Sequence, residues 1–267
     1  MTYGMPSLFI AHGSPLVAIE DSVYGRYLDG LSPHLPVPRS IVVFSAHWTE
    51  GCQTISASPQ PDTIHDFYGF PEALYQIRYP APGDPALAAR IQELLVSAGI
   101  EARLDPSRGF DHGVWTILSR IFPNASIPVV SMSVDPALRP EHQFQIGQAL
   151  APLRQDGALI IGSGATVHNL HMLRWDREDG QAEAWAEAFE GWLQSRIAEG
   201  DLDALFAYRE EAPYADWAAP RWGAEHLAPL FYAMGASHEQ PKGRLLHRDW
   251  QYGSLANSVY AFGEPVR

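Results

Sequence analysis

Three apolar runs of this chain each lead into a histidine. The runs and the histidines that follow them are residues 7–11 before His12, residues 40–46 before His47, and residues 158–161, which lead through Gly162-Ser163-Gly164 to His168. Runs this short and this rich in β-branched and large apolar residues are typical of strands buried on both faces. Because ligands collect outside the carboxyl ends of strands in an open α/β sheet, we expect the three imidazoles to meet at one site.

Imidazoles that meet in this way suit a metal centre. A neutral imidazole offers a directed nitrogen lone pair without a charge that must be desolvated. Two or three of them with open coordination positions fit a catalytic zinc or a non-haem ferrous centre, and their spacing does not choose between the two metals. His112 lies at a glycine-flanked turn, and Glu225 and His226 lie in the first turn of a predicted helix. Either Glu225 or His226 could complete the site.

Two other motifs point less clearly to chemistry. The Gly-Ser-Gly of residues 162–164 resembles a phosphate cradle, but it lacks the further glycine of a dinucleotide fingerprint, and no Lys-Ser or Lys-Thr follows it. The Gly-Ser-Pro of residues 13–15 lacks the second glycine of a nucleophile elbow. Nucleotide binding and serine hydrolysis are therefore poorly supported.

Strand and helix patterns alternate through the first part of the chain. Predicted strands cover residues 7–11, 40–48, 54–57, 101–104, 127–134 and 158–161, and predicted helices cover 20–31, 84–98, 116–122 and 140–153. Such alternation favours βαβ units. We therefore predict an α/β fold, a single domain over residues 1–267 with a mostly parallel or mixed central sheet, helices on both faces, and the metal site at the carboxyl ends of the strands.

The second half is richer in helix. The patterns predict helices over 182–197, 202–206 and 224–234, the last one closed by Gly235, and an aromatic loop over 208–222. Residues 244–260 predict a terminal hairpin at the sheet edge. Residues 59–71 form a long loop with several aromatic side chains, which predicts a lid or a pocket wall.

Composition narrows the function classes. The 267 residues carry a net charge of −13, which argues against nucleic acid or an anionic membrane as a partner. Cys52 is the one cysteine, so an internal disulfide is excluded and a reducing compartment fits. No run approaches the roughly 18 apolar residues of a membrane span. We expect a cytoplasmic protein.

The motifs resemble one family when they are taken together and in order. They are His12-Gly13-Ser14-Pro15, Ser45-Ala46-His47-Trp48, His65-Asp66-Phe67-Tyr68-Gly69-Phe70-Pro71, Asp111-His112-Gly113-Val114-Trp115, Gly162-Ser163-Gly164 with His168-Asn169-Leu170, and Glu225-His226-Leu227. The set is similar to the class III extradiol ring-cleavage dioxygenases of the DOPA 4,5-dioxygenase type, which are related to the catalytic subunit of protocatechuate 4,5-dioxygenase. The resemblance spans nearly the whole chain.

The resemblance implies an enzyme that opens the ring of a catechol with O2 at a ferrous ion. His12, His47 and His226 would be the metal ligands, with Glu225 as the alternative third ligand. With zinc in place of iron, His168 would be a fourth ligand.

The same resemblance implies roles around the metal. His168 would be the acid/base histidine, and His112 would contact bound dioxygen or substrate. The substrate-binding candidates are His65, Asp66, Tyr68 and Ser14. The residues before His168 depart from the family pattern, which predicts a differently shaped loop there.

Two other hypotheses stay open at this point. A strand followed by His-Gly-Ser also occurs in chelatases, so a zinc-dependent hydrolase or chelatase-like enzyme is one alternative. A non-catalytic metal-binding protein like those of the Memo branch is the other. The presence of both His112 and His168 favours an enzyme.

Overall fold

A mixed sheet lies at the centre of the computed structural model, which describes residues 4–177 and 180–263. In these residues the sheet has eight strands in the order β4-β3-β5-β2-β6-β1-β10-β7, and a separate ribbon pairs β8 with β9. The strands are β1 (Ser7–Ala11), β2 (Ser40–Thr49), β3 (Gln53–Ser56), β4 (Ala102–Asp105), β5 (Val129–Val134), β6 (Ala158–Gly164), β7 (Gly243–His247), β8 (Trp250–Gln251), β9 (Leu255–Ala256) and β10 (Val259–Phe262).

Helices cover both faces of this sheet. They are α1 (Val23–Asp29), α2 (Glu72–Tyr75), α3 (Pro85–Ser97), α4 (His112–Ile121), α5 (Pro140–Ala149), α6 (Ala151–Gln155), α7 (Ala184–Glu199), α8 (Leu202–Phe206), α9 (Tyr208–Glu211), α10 (Ala215–Ala218) and α11 (Ala228–Ala236). Short 3-10 helices occupy Pro15–Ala18, Ser32–His34, Leu170–Met172 and Arg221–His226. None of the helices in the described ranges combines the length and apolar character that a membrane crossing requires.

The four inner strands β5, β2, β6 and β1 run parallel. Strand β3 pairs antiparallel with β5, and β10 pairs antiparallel with both β1 and β7. The predicted α/β fold is therefore confirmed, with a mixed sheet. The terminal hairpin is present as β7 and β10 at the sheet edge, although a small ribbon of β8 and β9 separates the two strands. That the whole of residues 1–267 forms a single domain stays a prediction, and residues 1–3, 178–179 and 264–267 lie outside the described part.

Successive residues of the inner strands point to opposite faces of the sheet. In β1, Leu8 and Ile10 pack with Trp115 of helix α4, whereas Phe9 packs with Phe189 of helix α7 on the other face. All five of these apolar residues are fully shielded from solvent. This two-sided burial explains why the strands appear in the sequence as continuous apolar runs.

Glycines let helix α11 pack very closely on its neighbours. A Cβ at Gly147 would lie 2.0 Å from the Tyr232 carbonyl oxygen, and one at Gly235 would lie 1.9 Å from the Phe144 carbonyl oxygen. Gly235 was predicted to end its helix, but α11 continues through it to Ala236. Its role is therefore close helix–helix approach.

Several predicted element boundaries are wrong. Strand β6 continues through the Gly-Ser-Gly motif to Gly164, α4 begins at His112 rather than at residue 116, and the predicted helix over 140–153 is two helices that meet at Leu150. Residues 208–222 contain α9 and α10 rather than a loop. The predicted helix over 224–234 is also divided, since His226 ends a 3-10 helix and α11 begins at Ala228. Pro229 lies in the first turn of α11, where its missing N–H leaves no helical hydrogen bond unmade.

Candidate metal centre

The fold brings three of the predicted metal ligands together. His12 follows β1, His47 lies near the end of β2, and His226 ends the 3-10 helix before α11. One nitrogen of each ring lies within 4.8 Å of the others, and the Nε2 atoms of His12 and His47 are 3.0 Å apart. Backbone hydrogen bonds tie the segments of His12 and His226 to the end of β6, from His12 N–H to the Gly164 carbonyl (3.1 Å) and from Ala165 N–H to the His226 carbonyl (2.8 Å).

A serine fixes the tautomer of His12. The Ser163 hydroxyl donates to the Gly113 carbonyl at 2.5 Å, so its oxygen is left to accept a hydrogen bond from His12 Nδ1 at 3.2 Å. With the proton on Nδ1, the Nε2 lone pair of His12 is free and faces the other two histidines. Such an outer partner orients a ligand ring and raises its basicity.

Carboxylates do the same for the other two histidines. Glu225 Oε1 lies 3.0 Å from His226 Nδ1, and Asp66 Oδ2 lies 3.5 Å from His47 Nδ1. A carboxylate accepts a hydrogen bond from a protonated Nδ1, which leaves Nε2 of each ring as the available ligand atom. Glu225 therefore stands behind His226 in this geometry and does not face the cluster itself.

The donor set fits a cation. When both Nδ1 atoms carry protons, no hydrogen remains between His12 Nε2 and His47 Nε2, and two lone pairs face each other across 3.0 Å. Two nitrogens that each lie about 2.1 Å from one cation at a right angle are about 3 Å apart. Three neutral nitrogens with no thiolate suit zinc or ferrous iron.

Burial keeps these imidazoles neutral. Desolvation, reinforced by the charges of neighbouring histidines, lowers the pKa of His12 and of His226 well below 6.5. The same causes lower the pKa of His47 to about 3, against the opposing charge of Asp66. A neutral ring is the form that binds a metal ion.

His168 lies against the same cluster. Its ring stacks on that of His226 at 3.6 Å between centroids and 8° between planes. Its backbone N–H donates to the Ala218 carbonyl at 2.8 Å, and among the described residues its buried Nδ1 has no hydrogen-bond partner. Burial, together with the charge of His112, lowers the pKa of His168 to about 4. An unpartnered buried nitrogen beside the candidate ligands is available to a bound molecule.

His112 and Asp66 also lie against the cluster, next to His47. The rings of His112 and His47 are 3.8 Å apart between centroids. Asp66 Oδ1 accepts the His112 backbone N–H at 2.9 Å and lies 3.0 Å from His112 Nδ1. Burial alone would raise the pKa of Asp66, but its contacts with His112 and the charge of His47 lower it to about 2.

The other substrate-binding candidates lie at different depths. His65 packs among Phe67, Tyr75 and Trp115, with its Nε2 3.1 Å from the Ile77 carbonyl oxygen. Ser14 accepts the Leu16 N–H at 3.3 Å and caps a 3-10 helix. Tyr68 is 92% exposed. The structure therefore brings Asp66 directly to the histidines, and substrate contacts of the other three residues stay predictions.

Ser163 is a site residue whose role the sequence analysis missed. It occurs in the Gly-Ser-Gly motif, which the sequence offered as a weak phosphate cradle and as part of the family motif set, without a role for the serine itself. The available signal was a hydroxyl near the end of a strand buried on both faces, where a polar side chain needs a partner. Its flanking glycines have a packing role, because a Cβ at Gly162 would lie 2.1 Å from the Pro229 carbonyl oxygen and one at Gly164 would lie 2.0 Å from the His226 carbonyl oxygen.

Two curated relatives of this chain share one name, and a solved structure is similar to it. The 4,5-DOPA dioxygenase extradiol of Portulaca grandiflora is 42% identical over 261 residues, covering 96% of this chain and 95% of the relative. The protein of the same name from Escherichia coli (strain K12) is 40% identical over 260 residues, covering 94% and 92%. A crystal structure of an uncharacterized Escherichia coli K12 protein matches with a TM-score of 0.81 and 33% identity, covering 97% of this chain and 100% of that one.

The family comparison covers the described site in full. Residues 6–263 match the catalytic LigB subunit of aromatic ring-opening dioxygenase, a range that includes His12, His47, His112, His168 and His226. With the curated relatives, this match confirms the extradiol dioxygenase hypothesis over the hydrolase and non-catalytic alternatives. The chain belongs to the LigB family of aromatic ring-opening dioxygenases.

Proposed function

We propose that this extradiol dioxygenase opens the ring of a DOPA-like catechol at a ferrous ion held by His12, His47 and His226. The observation that supports the metal site most directly is the 3.0 Å approach of two imidazole nitrogens whose other nitrogens are both held by acceptors. The name of the relatives, 4,5-DOPA dioxygenase extradiol, supports the substrate class. Zinc fits the same nitrogens and would occupy the site without redox chemistry.

A ferrous ion in this site would bring both catechol oxygens and dioxygen into one coordination sphere, so that proximity supplies much of the rate. The protein's part is to orient these groups and to move protons. His168 takes a proton from a catechol hydroxyl at its unpartnered Nδ1 and returns it to the product. His112, held beside His47 by Asp66, donates a hydrogen bond where negative charge develops on oxygen.

Aromatic side chains form the wall next to this site. Phe67 contacts His112 at 5.7 Å and Trp115 at 6.0 Å between ring centroids, and Phe70 contacts Phe67 at 5.3 Å. This cluster gives a planar apolar ring a surface to pack on and reduces the access of water. It supports an aromatic substrate.

The test is oxygen consumption by anaerobically iron-loaded protein. With DOPA or a related catecholic acid we expect oxygen uptake matched one to one by a yellow ring-opened product. Zinc-loaded protein is the matched control and should bind the catechol without consuming oxygen. An absence of uptake across a panel of catechols, with iron bound at one ion per chain, would remove the proposal.

A further inference from the structure

Asp111, a buried aspartate at the start of helix α4, does not cap that helix. It holds the N-cap position, but its side chain makes no capping hydrogen bond. The carboxylate instead accepts hydrogen bonds from Ser45 Oγ at 2.6 Å and from Arg108 Nη2 at 2.8 Å, and the side chain is completely buried. An N-cap aspartate ordinarily bonds amides of the first helical turn. The side chain of Asp111 is therefore committed to strand β2 and not to its own helix.

A second aspartate supplies the contact to the helix start. Asp66, from the preceding aromatic loop, accepts the His112 N–H at 2.9 Å. The N-terminus of α4 thus keeps a carboxylate near the positive end of the helix dipole. Asp111 is left free to bind elsewhere, and it lies directly before His112.

Both partners of Asp111 also hold the backbone of His47. Ser45 Oγ accepts the His47 N–H at 3.2 Å, and Arg108 Nη2 donates to the His47 carbonyl oxygen at 3.3 Å. The Arg108 guanidinium also lies 4.8 Å from the Trp48 ring centroid. The two peptide groups that flank His47 are therefore both linked to the Asp111 carboxylate, one through the Ser45 side chain and the other through the Arg108 side chain.

The contact between helix and strand leaves little free space. A Cβ at Gly113 would lie 2.7 Å from Ser45 Oγ and 3.2 Å from His47 Cδ2. The first turn of α4 therefore packs directly on the end of β2.

We propose that Arg108, Asp111 and Ser45 form a clamp that fixes His112 relative to His47, and that they are positioning residues for the ring-opening reaction. The proposal rests on the proposed function. A clamp of this kind matters because a misplacement of about 1 Å can cost about 100-fold in rate while every ligand stays in place.

The kinetic test uses Asp111→Asn, Ser45→Ala and the double variant. We expect the Asp111→Asn variant to keep its iron and its KM for the catechol, and to lose about 10- to 100-fold in kcat per bound iron. The double variant should lose no more than the worse single variant, because residues that act as a unit are non-additive. Unchanged kcat per iron in Asp111→Asn, or losses that multiply in the double variant, would overturn the clamp.

Arg108→Lys tests the second arm, since the shorter side chain does not place a nitrogen where Nη2 of Arg108 donates to both the Asp111 carboxylate and the His47 carbonyl oxygen. It should lower kcat as Asp111→Asn does. The matched control is Arg103→Lys, whose guanidinium bonds Glu50 and Thr54 away from the histidines. That variant should keep wild-type kcat.

A readout that does not depend on turnover separates this proposal from the proposed function. In metal-free protein with ¹⁵N-labelled histidine, Asp111→Asn and Arg108→Lys should shift the imidazole signals of both His47 and His112, and Arg103→Lys should shift neither. Shifts confined to one of the two histidines would contradict the clamp. Wild-type protein without oxygen uptake would instead count against the proposed function alone.

Discussion

Three acceptors decide which nitrogen of each candidate ligand faces the cluster. Ser163 lies behind His12, Glu225 lies behind His226, and Asp66 lies behind His47. Single side chains therefore set the donor geometry from outside the ligand set. The glutamate that the sequence left as a rival of His226 becomes its partner in the structure.

The ligand choice predicts different metal affinities for two adjacent substitutions. His226→Gln should abolish stoichiometric iron binding, because it removes a nitrogen from the cluster. Glu225→Gln should weaken binding only about 10- to 100-fold, because it disturbs the partner that orients the ring. Competition against a chelator measures both affinities, and Glu211→Gln at an exposed position of α9 is the control. A reversed order of the two losses would make Glu225 the ligand.

His168 has a separate prediction, because its ring stacks on that of the candidate ligand His226 and the proposed iron site does not include it. His168→Ala should keep one iron per chain and lose about 100- to 10,000-fold in kcat, the usual contribution of a general acid or base. Iron analysis and oxygen uptake on the same sample measure the bound iron per chain and kcat. His142→Ala, on helix α5, should match the wild type. Wild-type turnover in His168→Ala would contradict the acid/base role.

The end of strand β6 positions both the last 3-10 helix and α11. Its glycines let the junction of the last 3-10 helix and α11 lie directly on the strand, and His226 is the residue that ends that 3-10 helix. The strand predicted from the sequence ends at residue 161, before these glycines. The turn-like Gly-Ser-Gly composition of residues 162–164 instead reflects close packing against Pro229 and His226, which local sequence pattern does not reveal.

Gly164→Ala tests this packing. The added methyl would meet the His226 carbonyl oxygen, a backbone atom that cannot rotate away. We expect a loss of about 1–3 kcal/mol in the free energy of unfolding and a weaker metal site, since the backbone that carries a ligand must move. Denaturant unfolding and metal titration measure the two effects.

Gly191→Ala is the control for that substitution. Gly191 lies in the interior of helix α7, and nothing lies within 4 Å of an added Cβ there. This change should leave metal affinity alone and stabilise the protein by up to about 1 kcal/mol. Equal stability losses in the two alanine variants would show that the close approach at Gly164 is not what matters.

At the scale of the whole molecule, the fold buries a set of neutral histidines inside an acidic protein. Their pKa values lie below 6.5, to about 3 for His47 and about 4 for His168, chiefly through desolvation. Because an unfolded chain binds protons at these histidines near pH 6.5 and the folded chain does not, lowering the pH favours unfolding. The depressed pKa of Asp66 acts in the same direction at lower pH.

We therefore expect metal-free protein to lose thermal stability as the pH falls from 7.5 to 5. The contribution of the histidines is fully present above pH 6.5 and declines below it. Calorimetry in matched ionic strength measures the change in Tm. A variant with His168→Gln should show a shallower decline, since one buried titratable ring is gone. A Tm that stays constant over this range would contradict the prediction.

The sequence by itself determined the strand that precedes His12, the strand that contains His47, the helix over residues 85–97 and the family. These depend on local patterns: an apolar run buried on both faces, or Asp84 as an N-cap whose carboxylate accepts the Leu87 N–H. Motif order along the chain was enough to identify the five clustered histidines as candidate site residues.

Only the tertiary structure decided how the candidates are used. Ser163 and Glu225 hold the rings of His12 and His226, Asp111 binds β2, and Asp66 meets the start of α4. These contacts join residues far apart in the chain or, for Glu225, depend on the direction that its side chain takes. Local pattern carries no information on such pairings, because the strand order and the close approach of α11 to β6 set them. The physical reason is that hydrogen bonds and packing act over a few ångströms in space, whereas sequence periodicity records only which side of an element is buried.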